Sequence, residues 1–265
     1  MLERPGMSVT TSLRSVSATR YVTALREGGS LPGLVEADDD GLYVAKFRGA
    51  GQGLRALVAE VIVGELARRL GFLVPELVTV SIDARLGAAE PDPEIQELIL
   101  ASEGENLGVD FLPGTLAYMP AGGWQPNHEL AAEVVWLDAL TTNVDRTPRN
   151  PNLLLWHDRL WLIDHGAALY LQHAGLDPAA HAERPFPLIS QHVLLPHAGS
   201  VLEAGERLRA RIGPSALADA VALVPVSWFA GADPPEAYVE YLTRRLAGGG
   251  FAEEAERARS EITHP

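Results

Sequence analysis

The chain of 265 residues carries a single lysine, Lys46, against twenty arginines. Positions that need only positive charge have all gone to arginine, so the one exception marks a place where a compact ammonium on a flexible stem is wanted. Such a group acts as a point charge on phosphate, where a planar guanidinium fits differently. A second concentration of polar chemistry lies in Asn143-Val144-Asp145-Arg146-Thr147-Pro148-Arg149-Asn150-Pro151-Asn152, which holds three of the chain's five asparagines. Asp145 and Asn150, five residues apart, can turn inward together, one to orient a nucleophile and the other to ligate a metal. A third group is Asp164-His165-Gly166, directly after the apolar run Leu160–Ile163. A carboxylate at a strand end, with a glycine two residues on, suits a hard cation such as Mg²⁺, which takes oxygen ligands and keeps waters and phosphates as the rest. Each aspartate motif alone also fits an ordinary capped turn.

The elements around these residues follow from periodicity. Lys46 falls in Leu42-Tyr43-Val44-Ala45-Lys46-Phe47, a short β-prone run. Before it come a strand near Ala18–Arg26, the glycine-rich connection Gly28-Gly29-Ser30-Leu31-Pro32-Gly33, a strand at Leu34–Ala37 and the hairpin turn Asp38-Asp39-Asp40-Gly41. Apolar residues at helical spacing run from Leu54 to Leu70, with Gly71 as C-cap. Strands are expected at 77–82, 107–111 and 115–119, and a helix capped by Asp92-Pro93 runs to about Ala101. From Asn127 helices dominate, at 128–142, 201–212 (behind the capping box Ser200…Glu203), 215–223, 236–246 and 251–262. One hairpin interrupts them, 153–156 and 160–163 about His157-Asp158. The reading is therefore α+β with two lobes: a strand-rich N-lobe, 1–112, and a helical C-lobe, 113–265, with a cleft between them.

Composition narrows the partners. A formal charge of −14 with scattered arginines argues against general nucleic-acid binding, whose affinity comes from neutralised phosphates. The absence of cysteine excludes disulfides, thiolate catalysis and cysteine-ligated zinc. No apolar run reaches the roughly 18 residues of a membrane span, and the first residues lack a signal-peptide pattern, so no membrane partner and a cytoplasmic location are expected. His173, His181, His192 and His197 lack the i, i+4 spacing of a helical metal site, and four of the tryptophans (Trp136, Trp156, Trp161 and Trp228) sit in apolar patterns as core residues.

In chain order the parts are a glycine-rich hairpin, a strand lysine, a helix with an acidic residue, an Asp-x-x-x-x-Asn loop, a hairpin and Asp-x-Gly. That order is the set of parts used for phosphoryl transfer on a protein-kinase-like fold. The segments Leu34…Tyr43-Val44-Ala45-Lys46-Phe47, the Glu60 helix ending at Leu70-Gly71-Phe72-Leu73-Val74-Pro75-Glu76, and Asn143-x-Asp145-Arg146 with Asn150 and Leu153-Leu154 resemble the HipA-type kinases, in their compact branch. The resemblance implies an ATP- and Mg²⁺-dependent kinase acting on a hydroxyl, of serine or threonine type, with the acceptor itself unidentified. It implies that Lys46 holds the α- and β-phosphates and pairs with Glu60, with Glu65 on the same helix as the rival. It further implies that Asp145 orients or deprotonates the acceptor, that Asn150 and Asp164 ligate Mg²⁺, and that Gly28, Gly29, Ser30 and Gly33 cover the phosphates. Departures qualify it: no regular G-x-G-x-x-G is present, and Thr147 stands where many relatives of this loop carry histidine. The sequence ahead of the first strands is too short for the extra N-terminal subdomain of larger toxin kinases, which puts toxin activity and pairing with a DNA-binding antitoxin in doubt and leaves both undecided by the sequence. Asp110-Phe111-Leu112 and His157-Asp158-Arg159 imitate kinase motifs but fall at the wrong places in the order. A pseudokinase or nucleotide-binding module, a small-molecule kinase, and a metal-dependent hydrolase using Asp145 and Asp164 are the competing readings.

Overall fold

In a computed structural model, residues 12–25, 31–51, 53–213 and 215–263 are described. The first part of the chain is built of strands: β1 (Arg14–Ala24), β2 (Gly33–Ala37), β3 (Leu42–Lys46), β4 (Leu77–Ile82) and β5 (Gly104–Asp110). They close into a barrel in the order β1-β2-β3-β5-β4, with β1 and β4 parallel and every other pair antiparallel. Alternation explains the inside: Val35, Tyr43, Ala45, Val78, Val80 and Ile82 are buried together, and Ile95 and Ile99 of α2 (Pro93–Ala101) join them. The turn between β2 and β3 forms as its aspartates predict. Asp40 has φ +61, and Asp39 Oδ1 accepts the Gly41 N–H at 3.0 Å.

Between β3 and β4 lies α1 (Gly53–Leu70), buried over most of its circumference. It packs between β4 on one side and α6 (Ala216–Ala222) and the 226–231 turn on the other. Its apolar residues therefore belong to the larger buried cluster, which also takes in the helices after residue 127. These are α3 (His128–Thr141), α4 (Pro178–His181), α5 (Val201–Arg209), α7 (Pro235–Gly248) and α8 (Gly250–Thr263). Asn127 caps α3 through Leu130 N–H, and Ser200 caps α5 through Glu203 N–H. A small sheet pairs β6 (Leu116–Ala117), which precedes α3, with the hairpin of β7 (Leu153–Trp156) and β8 (Arg159–Leu162), which follows it. His157 and Asp158, with φ +50 and +58, make the two-residue turn of its hairpin.

Several boundaries differ from the sequence expectation. β1 begins at Arg14 rather than near Ala18, because its first half pairs with β4, a partner some sixty residues away that local alternation cannot reveal. Short 3₁₀ turns at 170–174, 187–191, 195–197 and 226–231 fill what the periodicity left as connections. Among the described residues no helix is long and apolar enough to cross a membrane.

Candidate active site

Lys46 is the last residue of β3, on the same side of the strand as Val44, and both line a cleft of about 600 Å³. Its Nζ lies 2.8 Å from Glu60 Oε2 and donates to Asp164 Oδ1 at 2.7 Å. The first contact is a charge contact without hydrogen-bond alignment; the second is an aligned hydrogen bond. The choice between the two glutamates of α1 is thereby made by geometry. Glu60, buried, meets the lysine, while Glu65 lies 3.6 Å from Arg68 on its own helix. Burial opposes the Lys46 ammonium, but Glu60 and Asp164 outweigh it and hold its pKa above the ordinary value. Burial pushes the Glu60 carboxyl up against the pull of Lys46, whereas the Lys46 charge draws Asp164 down. Asp164 is thus the stronger anion of the two and the more available to a cation.

Asp164 follows β8 with φ +56, a left-handed conformation that an aspartate adopts at a cost of about 1 kcal/mol. Gly166 brings the chain against α1: a Cβ there would stand 3.4 Å from Ala56 O and from Glu60 Oε2. The Asp-x-Gly segment is therefore pressed to the helix that carries the lysine's partner.

Asp145 lies on the loop after α3. The helix ends at Thr142, with φ +51, and Asn143 turns back so that its N–H donates to Asp138 O at 2.9 Å. Asn143 Oδ1 accepts the Asp145 N–H at 3.1 Å, and Thr147 and Asn150 close a tight turn by exchanging backbone hydrogen bonds. Two side-chain amides then meet one carboxylate oxygen. Asn150 Nδ2 donates to Asp145 Oδ2 at 2.7 Å and Asn152 Nδ2 at 3.2 Å. The Asn150 amide nitrogen is engaged, which leaves its oxygen as the group it can offer the cleft it lines together with Asp164. Val44, Val109, Leu154 and Ile163 give that cleft apolar walls. Among the described residues no group of three or more His, Cys, Asp or Glu is placed to hold a metal ion.

The glycine-rich connection divides. Gly28, Gly29 and Ser30 lie outside the described residues, although Ala24, Leu25 and Pro32 on either side of them line the cleft. Gly33 is buried at the start of β2. A Cβ on it would lie 2.6 Å from Tyr21 Cε2 and 3.0 Å from Phe47 Cζ, so barrel packing is what requires a glycine there. Asp110, the last residue of β5, and Phe111, which together imitate the start of Asp-Phe-Gly, both line the cleft.

Sequence reasoning missed a buried ionic cluster behind the site. Asp138, fully buried on α3, accepts from Arg146 Nε at 2.5 Å, from His192 Nε2 at 2.8 Å and from Asn143 Nδ2 at 3.1 Å. His192 Nδ1 accepts the Leu194 N–H, which leaves the proton on Nε2 for Asp138. Burial works against the Asp138 carboxylate, yet Arg146 and His192 hold its pKa well below the usual range. The signal was present as an aspartate inside Val134-Val135-Trp136-Leu137-Asp138-Ala139-Leu140, a charge in an otherwise apolar stretch.

Comparison with known proteins gives this arrangement its relatives. The HipA-like kinase family profile matches residues 19–236. Among solved structures, the proinflammatory kinase CtkA of Helicobacter pylori is similar with a TM-score of 0.55 at 12% identity, covering 94% of this chain and 99% of that one. The Golgi casein kinase gives a TM-score of 0.45 at 13% identity, and its Mn/ADP-bound form 0.48 at 13%; each covers 96% of this chain and 73% of that one. No curated protein matches the chain. With the family profile spanning most of its length, from within β1 to the start of α7, the chain belongs to the HipA-like kinase family.

Proposed function

We propose that this kinase is ATP- and Mg²⁺-dependent, has the two-lobed protein-kinase-like fold divided near residue 112, and transfers the γ-phosphoryl group to a serine or threonine hydroxyl of a protein. The observation that carries the nucleotide reading is the position of Lys46. It touches Glu60 and Asp164 at once, in a cleft that Asn150 also lines. The serine/threonine acceptor rests on family membership.

In this reading the apolar walls at Val44, Val109 and Leu154 take the base, and Lys46 takes the α- and β-phosphates while Glu60 holds its ammonium in place. Asp164 and the Asn150 amide oxygen fit Mg²⁺, being hard oxygen donors on one cleft that leave most coordination sites to phosphate and water. Bound there, the cation would neutralise charge on the β- and γ-phosphates. Asp145, held by two amides through one oxygen, keeps the other for the acceptor. The acceptor oxygen bonds to the γ-phosphorus as the bond to the β–γ bridging oxygen breaks. The ADP oxygen keeps that electron pair, and the acceptor proton passes to Asp145. Gly28, Gly29 and Ser30 cover the phosphates in this proposal.

Incubating the purified protein with γ-labelled ATP and Mg²⁺, with and without cell extract, tests the reading. Label is expected on protein serine or threonine, and Lys46→Arg should remove it. Label on small molecules only would move the acceptor to that class, free phosphate alone would favour a hydrolase, and no consumption of ATP would favour a binding module.

A further inference from the structure

Arg146 is 1% exposed, and every polar contact of its guanidinium falls on a residue beside the reacting groups or on the anchor behind them. Nε donates to Asp138 of α3. Nη1 donates to Asn152 O and, at 3.4 Å, to Ile163 O, and Nη2 faces His165 Nδ1 at 3.3 Å. Arg146 directly follows Asp145 in the chain. Ile163 and His165 are the two neighbours of Asp164. Asn152, whose carbonyl accepts from Arg146 and from Ile163 N–H, is also the residue whose amide donates to Asp145.

From these contacts we infer that Arg146 is a positioning residue, which holds Asp145 and Asp164 in a single frame so that acceptor activation and metal ligation stay in register. The inference deepens the proposed phosphoryl transfer and rests on it. A buried ion pair is poor value for stability, since desolvation consumes most of the attraction, and apolar side chains would hold α3 to the hairpin as well. What apolar side chains cannot do is fix backbone carbonyls from two segments and a ring nitrogen at once. A guanidinium with five donors in a rigid plane does so. Arginine accepts nothing, so the His165 nitrogen facing it is the unprotonated one and the ring's proton sits on Nε2. Two positively charged groups therefore do not compete for the space behind Asp164.

Arg146→Lys keeps a charge beside Asp138 but cannot span the remaining acceptors. Single-turnover transfer and Mg²⁺ titration at saturating ATP, both run well below the variant's melting temperature, read the two arms of the frame separately. A variant with native near-ultraviolet dichroism should lose about 100-fold in the transfer step, the cost of a misplacement near 1 Å. The same variant should need about tenfold more Mg²⁺ for half-saturation, the size of a lost outer-shell contact. The joint loss is the signature, because a structural role alone would lower the melting temperature and leave both values unchanged. Either value changing without the other would overturn the inference. If Arg146→Lys does not fold, His165→Phe decides: it keeps the ring volume and removes one acceptor beside Asp164. It should raise the Mg²⁺ requirement several-fold, and an unchanged requirement would overturn the inference. Failure of wild type to bind ATP with Mg²⁺ would instead sink the functional reading on which the frame rests.

Discussion

At the scale of single residues, the site rests on one ammonium with two carboxylates. Lys46→Arg should leave the fold intact and cut turnover about 100-fold or more, since a guanidinium does not reproduce the point contact with phosphate between Glu60 and Asp164. Near-normal turnover with native dichroism would remove the lysine from the chemistry. Glu65→Gln should cost little beyond its 3.6 Å contact with Arg68, whereas Glu60→Gln should lower turnover strongly. Equal effects in turnover assays would mean that the pairing seen in the structure is not the working one. Lys46 was legible because composition isolated it, and Asp145, Asn150 and Asp164 because kinase spacing joins them. Glu60 came from resemblance alone, since Glu65 occupies the same helix and periodicity cannot say which face meets β3. Asp138, Arg146 and His192 were not legible as a set. Their contacts cross from α3 to residue 192, and only folding brings those charges together.

At the scale of elements, local chemistry read well wherever a turn or cap decides the conformation. The Asp38–Gly41 turn, the Asn127 helix and the 157–158 hairpin all form as their residues dictate. It read less well where a distant partner decides, as in the first half of β1 against β4. Gly33 shows how a residue can be noticed for one reason and required for another. Its bare Cα is covered by Tyr21 and Phe47, so Gly33→Ala should lower stability by about 1–3 kcal/mol through overpacking. The ATP requirement of the folded variant should change little. A raised KM for ATP with an unchanged melting temperature would instead return Gly33 to the phosphate-covering loop.

At the scale of the whole molecule, the larger buried cluster joins α1 to the helices after residue 127, so the helix bearing Glu60 is anchored by the same core as the Asp145 loop. That continuity was hidden in the sequence, where the strand-rich and helix-rich halves indicate only two lobes and a cleft. Two buried histidines, His165 and His192, make this core acid-sensitive. Burial lowers both pKa values, that of His165 from 6.5 to about 3. The unfolded chain binds protons that the folded chain refuses, so stability is present above about pH 6.5 and is lost as pH falls toward 3. His165 alone should cost roughly 2 kcal/mol between pH 7 and 5, and His165→Phe should flatten the fall in melting temperature over that interval. An equal slope in the variant would refute the assignment. The central claim is nucleotide binding through Asp164 with chemistry through Asp145, and a thermal shift with ATP and Mg²⁺ tests it most directly. Ligand at a hundredfold excess over its dissociation constant stabilises by about 2.7 kcal/mol, roughly 5–10 °C for a chain of this size. Wild type and Asp145→Asn should both show that rise, and Asp164→Asn should show little; equal loss in both variants, or no rise in wild type, would contradict the account.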